Sequence, residues 1–142
     1  MKILKIEFTN INSLRGSHEI DFTKEPFISS SLFAITGPTG SGKSTILDVI
    51  ALAIYGKIPR IPGSRPISKT DIEKFGTILT RNQKEAIARV TYECKHGIFS
   101  SQWNISTNRN DKLRDNDMEI FDHQKQELIT DKKSEVPDKN EE

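Results

Sequence analysis

Residues 32–56 read LFAITGPTGSGKSTILDVIALAIYG and place a glycine-rich turn between two apolar segments. The first segment, residues 32–36, is apolar on both faces, which is typical of a strand buried inside a sheet. The second runs from Lys43 to about Tyr55 and carries apolar side chains around nearly its whole circumference, which predicts a buried helix. Gly56 is well placed to end that helix. The order strand, turn and helix predicts an α/β fold.

The turn itself has residue types at fixed spacing. It matches the pattern G-x-x-x-x-G-K-[ST] of a phosphate-binding loop, through Gly37, Pro38, Thr39, Gly40, Ser41, Gly42, Lys43 and Ser44. Glycines allow backbone conformations that a Cβ forbids, so successive amide N–H groups can point at one phosphate. Lys43 would place its charge against the outer phosphates, Ser44 would ligate a bridging Mg²⁺, and the helix N-terminus would add its dipole. We therefore expect a nucleoside triphosphate site; the alternative is a glycine-rich turn with an exposed lysine.

Segments of alternating apolar and polar residues flank this unit. Leu4, Ile6 and Phe8 alternate with polar neighbours, and Ile20 and Phe22 do so after a turn. Apolar residues at every second position predict half-buried strands, here paired as an antiparallel hairpin. A second hairpin is predicted over residues 86–106, with its turn at Gly97. The segments MEIFD and QELIT, residues 118–122 and 126–130, predict two further short strands.

The composition fits one domain followed by a charged tail. The chain has 142 residues, 34% hydrophobic and 29% charged, which is long enough to bury one core. Residues 1–110 hold 15 Lys and Arg against 9 Asp and Glu, whereas residues 111–142 hold 6 against 11. Such a mildly basic body permits a polyanionic partner without requiring one. We expect a globular lobe over residues 1–130 and a disordered tail or linker over residues 131–142, which contain one aliphatic side chain.

The cysteine count and the N-terminus bear on the cellular compartment. The single cysteine, Cys94, excludes an internal disulfide, which fits a reducing compartment. The N-terminus lacks the apolar core of a signal peptide, and the longest apolar run falls well short of the ~20 residues that cross a bilayer. We therefore expect a cytoplasmic protein without a membrane partner.

The segment after the helix, KIPRIPGSRPISKT at residues 57–70, contains three prolines, one glycine and four basic residues. This density of helix and strand breakers predicts a long loop, and long loops in compact domains are often functional. Arg60, Arg65 and Lys69 are therefore candidates to contact nucleotide or DNA, the alternative being a solvated basic loop. Trp103 has the inward parity of the second hairpin, which favours core packing over stacking on a base.

Several other residues favour structural interpretations. Asp48 lies one turn past Ser44 and is expected to cap or pair locally rather than to ligate metal. Cys94 is expected to be a small core residue. The three histidines are far apart in sequence and lack metal-ligand spacing, so no role is assigned to them.

Residues 2–56 also resemble the SbcC family, the ATPase subunits of the bacterial SbcCD nuclease. The resemblance is carried by the first strand, the turn NINSLRG, the segment IDFTKEPF and the stretch LFAITGPTGSGKSTILD. It continues more weakly through Pro59 and Arg60 to about residue 110. These proteins are grouped with the SMC and double-strand-break repair ATPases, whose heads are built like ABC-transporter ATPases. The resemblance therefore implies a P-loop NTPase fold, an ABC-type N-terminal lobe with antiparallel hairpins beside a buried strand and helix.

The resemblance further implies ATP-dependent control of DNA repair and recombination. In this family the two ends of a long chain form one head. The N-terminal lobe carries the phosphate-binding loop, and the C-terminal lobe supplies a signature motif and the carboxylates that hold Mg²⁺ and orient water. Two heads sandwich two ATP molecules and control access of DNA to the nuclease partner, SbcD. The matching positions are Gly37, Gly42, Lys43, Ser44 and Thr45 for ATP and Mg²⁺, Asn12 and Ser13 near the nucleotide, and Arg60 in a family-like Pro-Arg pair.

The sequence departs from a whole head of that family. It has no run of four aliphatic residues ending in Asp-Glu, no SGG and no heptad pattern. We expect an N-terminal lobe that ends before the coiled coil, binds ATP weakly and hydrolyses it negligibly, because water is neither positioned nor activated. Two alternatives stay open. One is a small phosphotransferase, such as a kinase, with residues 56–66 as a lid; the other is a non-catalytic module that binds DNA or a partner protein.

Overall fold

The computed structural model describes residues 1–30, 32–63 and 66–130 of the chain. Within these ranges the chain forms six strands and two helices. The strands are β1 (Lys2–Ile11), β2 (Leu14–Asp21), β3 (Glu85–Cys94), β4 (Gly97–Ser106), β5 (Asp117–Asp122) and β6 (Glu127–Thr130), and the helices are α1 (Lys43–Tyr55) and α2 (Lys69–Phe75). Arg65 and the predicted tail at residues 131–142 lie outside the described residues.

The strands form one antiparallel sheet in the order β2-β1-β3-β4-β5-β6. The two predicted hairpins are confirmed as β1–β2 and β3–β4, and the two predicted short strands as β5 and β6. The hairpins join where β1 pairs with β3, with Phe8 opposite Ala88. Ala88 in turn lies opposite Trp103 on β4, and the side chains of these three residues are buried. The apolar face predicted from the alternation is therefore the core face of the sheet.

Helix α1 covers this apolar face and packs across β1, β3 and β4. Val49 and Leu52 on its inner side are fully buried. Gly56 ends the helix as predicted, in a left-handed conformation with φ of 64°, and its N–H donates to the Leu52 carbonyl. The predicted burial around the whole circumference is wrong, because Leu47 is 65% exposed. The helix has the sheet on one side; on the opposite side Leu47 and Tyr55 are exposed, whereas Ile54 near the C-terminal end is buried.

The apolar residues 32–36 are not a strand in this structure, so the predicted buried strand before the glycine-rich turn is wrong. Leu32 is 85% exposed, and Phe33 and Ile35 are 47% and 48% exposed. A central strand needs a hydrogen-bonded neighbour on each side and a layer on each face. The described part of the chain supplies neither, since its six strands pair only with one another. Phe33 instead packs against Phe22, with ring centroids 5.0 Å apart, and the segment presents an apolar surface.

The basic segment after α1 ends earlier than predicted, because α2 begins at Lys69. Ser68 caps this helix: its hydroxyl accepts the N–H of Asp71, and the Asp71 carboxylate accepts the N–H of Ser68. The Ile67 N–H also donates to the Gly56 carbonyl at 2.6 Å, so both ends of the loop are fixed. No helix in the described ranges has the length and apolar character needed to cross a membrane.

Candidate nucleotide-binding site

An open cleft of about 870 Å³ lies at the N-terminal end of α1. Five parts of the chain surround it: the β1–β2 turn, the glycine-rich loop (residues 37–42) with the start of α1, the loop after α1, the segment from α2 to β3, and the loop between β4 and β5. The lining residues are Asn12, Ser13, Thr39, Gly40, Gly42, Lys43, Ser44, Thr45, Arg60, Ile72, Glu73, Gly76, Thr77, Ile78, Leu79, Arg81 and Leu113. The fold thus brings most of the predicted site residues together in one cavity.

The glycine-rich loop has the backbone geometry of an anion cradle. Gly40 and Gly42 have φ of 83° and 94°, which residues with a Cβ rarely adopt. Gly42 is the N-cap of α1, and no side chain caps the helix. The Thr45 N–H donates to the Gly42 carbonyl at 3.1 Å, which leaves the N–H groups of Lys43 and Ser44 open at the cleft. A Cβ at Gly42 would lie 2.9 Å from Leu14 Cδ1, and one at Gly37 would lie 2.7 Å from Ser41 Oγ. Glycine is therefore required at position 42, where φ is left-handed and Leu14 is close, whereas a Cβ at position 37 would need the Ser41 hydroxyl to turn away. The open N–H groups fit a phosphate.

The two predicted polar contacts of the loop, Lys43 and Ser44, line the cleft. The Lys43 ammonium donates to the Gly37 carbonyl and, at 2.8 Å, to the Pro38 carbonyl. It therefore lies across the loop, where an anion on the backbone N–H groups would be within its reach. Ser44 is exposed in the first turn of α1. A Ser hydroxyl beside a triphosphate is a suitable ligand for Mg²⁺, with phosphate oxygens and water as the other ligands.

Asn12 connects three walls of the cleft. It adopts φ of 52°, and its N–H donates to the Ile78 carbonyl at 2.6 Å. Its side-chain amide donates to Asp48 Oδ2 at 2.9 Å and to Thr45 Oγ1 at 3.2 Å. The β1–β2 turn is thereby tied to α1 and to the segment before β3. Thr45 is buried and held by Asn12, whereas Ser13, beside Asn12, is exposed at the cleft.

The remaining predicted basic residues differ in position. Arg60 lines the cleft and forms an ion pair with Asp48, whose side chain is only 6% exposed. The prediction of a local partner for Asp48 is wrong, because its partners Asn12 and Arg60 are 36 and 12 residues away in sequence. Lys69 is the first residue of α2 and is not among the residues that line the cleft.

One wall of the cleft was not predicted from the sequence. It runs from Ile72 and Glu73 in α2 through residues 76–79 to Arg81. An isolated bridge between Ile11 and Leu79 fixes it to the end of β1. The spacing of Ser68 and Asp71 is a recognisable helix-start signal for α2. The attachment to β1 has no local signal, because it depends on pairing between distant parts of the chain.

Comparison with known proteins assigns this architecture to a class. A family model described as an AAA domain matches residues 5–141, and the chain belongs to that family. Its N-terminal half is similar to the SbcC subunit of the SbcCD nuclease of Pseudomonas aeruginosa, with 56% identity over 69 residues, 49% of this chain and 6% of that protein. The corresponding protein of Rhodobacter capsulatus is 54% identical over 61 residues, 43% of this chain and 5% of that protein.

A third relative extends the similarity beyond the SbcC proteins. The probable DNA double-strand break repair Rad50 ATPase of Aquifex aeolicus is 41% identical over 64 residues, 45% of this chain and 6% of that protein. The predicted resemblance to the N-terminal lobe of SbcC is thus confirmed, and the N-terminal half of the chain is similar to SbcC and Rad50 proteins. The matched segments span only about one-twentieth of the length of these relatives.

Proposed function

We propose that this chain is the ATP- and Mg²⁺-binding N-terminal part of an SbcC-like ATPase head. The observation that carries the proposal is the convergence of an uncapped helix N-terminus, the left-handed Gly40 and Gly42, and Lys43 in one cleft. Besides Lys43, the lining includes two cationic side chains, Arg60 and Arg81, and one carboxylate, Glu73. A concave site with open N–H groups and an excess of cationic side chains favours a polyphosphate.

Each part of the cleft has a separate role in this proposal. The N–H groups at the start of α1 bind the inner phosphates, and Lys43 neutralises the outer ones. The Ser44 hydroxyl holds Mg²⁺, which when bound would neutralise the phosphate charge. Leu79 and Leu113, both half-buried in the lining of the cleft, offer apolar surface to the nucleoside end.

Hydrolysis by this chain alone is proposed to be negligible. The reaction requires a group that positions and activates water. Asp48 is buried in its pair with Arg60 and is not among the residues that line the cleft, and Glu73, which does line it, is exposed on α2. The sequence also lacks the aliphatic run ending in Asp-Glu that supplies these groups in the family.

The partners of this lobe are also proposed. The exposed apolar residues 32–36, with Phe22, Phe27 and Phe33 in mutual contact at 5.0–5.2 Å, form an aromatic patch that suits a C-terminal ATPase lobe. Two such heads would sandwich ATP, and the name of the relatives as a nuclease subunit supports an SbcD-like nuclease partner acting on DNA in the cytoplasm. We propose that the complex serves repair and recombination of DNA.

Isothermal titration calorimetry with ATP and Mg²⁺ tests the nucleotide site. We expect uptake of one ATP by the 142-residue chain, and a loss of at least about tenfold in affinity in Lys43→Ala, because an uncompensated outer phosphate loses a charge-assisted contact. Lys57→Ala is the matched control, since Lys57 lies past the other end of α1. Absence of Mg²⁺-dependent uptake would refute the nucleotide site, and steady turnover that Lys43→Ala abolishes would refute the proposal of negligible hydrolysis.

A further inference from the structure

The Asp48 carboxylate is a buried charge at the edge of the candidate nucleotide cleft. Its side chain is 6% exposed. Oδ2 accepts a hydrogen bond from the Asn12 amide at 2.9 Å and another from the Arg60 guanidinium. A single carboxylate oxygen therefore joins α1, the β1–β2 turn and the loop after α1. The sequence pattern of the glycine-rich loop assigns Asp48 no role in nucleotide binding.

The position of Asp48 on α1 determines where Arg60 is held. Residues four apart lie on the same face of a helix, so Asp48 follows Ser44 by one turn on the side of the cleft. Arg60 lines the same cleft as Ser44 and bonds to Asp48, one helical turn from the residue that would bind Mg²⁺ beside the outer phosphates. Its side chain remains 56% exposed, and a guanidinium has five N–H donors, so contact with Asp48 leaves others for a ligand.

Arg60 and Asp48 each depend on the other electrostatically. An exposed arginine on an irregular loop would lose rotamer freedom on contacting a ligand, and its anchorage to Asp48 removes part of that loss in advance. Asp48 without Arg60 would be a buried, unneutralised negative charge beside a site for phosphates. Removing Arg60 therefore takes away a cation and also leaves a repulsive anion.

We propose that Asp48 is a positioning residue that holds Arg60 toward the outer phosphates and thereby gives the cleft a preference for ATP over ADP. This inference rests on the proposed nucleotide-binding function. Asp48 and Arg60 then act as one unit, in which the charge of either side chain favours ATP binding only while the other is present.

A double-mutant cycle on the 142-residue chain tests the unit, with ATP and ADP titrated separately in the presence of Mg²⁺. We expect Arg60→Gln to weaken ATP binding about tenfold and Asp48→Asn about threefold, with smaller losses for ADP. The double variant should bind ATP within about twofold of Asp48→Asn alone, because the repulsive carboxylate is absent. Lys57→Gln, a charge removal on the same loop away from this cleft, should leave both affinities unchanged.

The ATP-to-ADP ratio separates positioning from a merely structural role, since partial unfolding lowers both affinities by the same factor. Losses that multiply in the double variant, or an unchanged ratio, would overturn the inference. If circular dichroism shows Asp48→Asn to be unfolded, the test uses variants of the exposed Arg60 only. Arg60→Gln must then lower the ratio of ATP affinity to ADP affinity, and Arg60→Lys must restore most of that ratio. An unmodified chain that takes up no ATP would refute the proposed function itself.

Discussion

Leu14 lies directly against Gly42, so that a Cβ built on Gly42 would stand 2.9 Å from Leu14 Cδ1 and 3.0 Å from Leu14 Cδ2. Leu14 is the first residue of β2, and Gly42 is the N-cap of α1. The β1–β2 hairpin therefore packs against the glycine-rich loop. Its turn also places Asn12 against α1, so the hairpin fixes both the loop and the cleft beside it.

Gly42→Ala should destabilise the chain more than Gly40→Ala. Both positions have positive φ, so each alanine carries a left-handed strain of about 1 kcal/mol. Only the Cβ at position 42 collides with Leu14, whereas the space at position 40 is open within 4 Å. We expect an additional loss of about 1–3 kcal/mol for Gly42→Ala in urea unfolding. Equal unfolding free energies for the two variants would show that Leu14 does not enforce glycine at position 42.

Trp103 should behave as a core residue rather than as a base-stacking one. It is fully buried between Ala88 and Met118 on the neighbouring strands, and its indole N–H has no hydrogen-bond partner among the described atoms. Trp103→Phe therefore loses packing volume but no hydrogen bond. We expect it to lower the unfolding free energy by about 1–3 kcal/mol, and Trp103→Ala by about 3–5 kcal/mol.

The controls for Trp103 are an exposed aromatic residue and a DNA titration. Phe75→Ala, at a side chain 46% exposed, should lower the unfolding free energy by about 1 kcal/mol or less. The fluorescence of Trp103, the single tryptophan of the chain, should not respond to single-stranded DNA. Quenching by DNA in the folded protein would contradict the assignment to the core.

Tyr92 should make the stability fall at alkaline pH. Burial, with a smaller contribution from the charge of Cys94, raises the pKa of Tyr92 to about 12. In the unfolded chain the tyrosine releases its proton at its ordinary pKa of about 10. Between these values the unfolded state binds fewer protons than the folded one, so the free energy of unfolding decreases as pH rises. Below pH of about 10 both states keep the proton and Tyr92 adds no pH dependence.

Urea midpoints measured from pH of about 9 to about 12 test this. The midpoint of Tyr92→Phe should fall less steeply than that of the unmodified chain, because phenylalanine has no proton to release. Tyr55→Phe is the control, since Tyr55 is 39% exposed. Parallel curves for the unmodified chain and Tyr92→Phe would contradict the raised pKa.

Phe33 should be central to docking of the proposed C-terminal lobe. It contacts both Phe22 and Phe27 and is still 47% exposed. We expect Phe33→Asp to weaken binding to the C-terminal part of the Pseudomonas aeruginosa relative by about tenfold or more, measured by biolayer interferometry. Leu128→Asp is the matched control on β6, where the leucine is also 47% exposed. Equal loss in both variants would mean that the aromatic patch is not the docking surface.

Much of the fold could be predicted because its signals are local. The alternation around Ile6 and Val90 specifies which side of each strand is buried, and Gly97 marks a tight turn between adjacent strands. The helix from Lys43 and its end at Gly56 follow from neighbouring residues in the same way. Likewise the residue types of the glycine-rich loop indicate a phosphate cradle because a single turn of backbone forms it.

Residues 32–36, which were predicted to be a strand, show what a local sequence pattern cannot predict. Their apolar side chains do indicate a surface that avoids water. Whether the segment forms a strand depends on hydrogen-bonding neighbours from other parts of the chain, and the described residues provide no such neighbour. For the same reason Leu47 was predicted to be buried and is exposed.

By itself the sequence determined the hairpins, the helix that follows the glycine-rich loop, and the chemistry of that loop, since each depends on residues within a few positions of one another. Only the tertiary structure decided that β1 lies between β2 and β3, that the wall near Leu79 closes the cleft, and that Asp48 meets both Asn12 and Arg60. Such contacts depend on how separate elements pack, and a packing arrangement leaves no fixed spacing along the chain. The candidate site combines both: a locally encoded cradle and a charged boundary that exists only after folding.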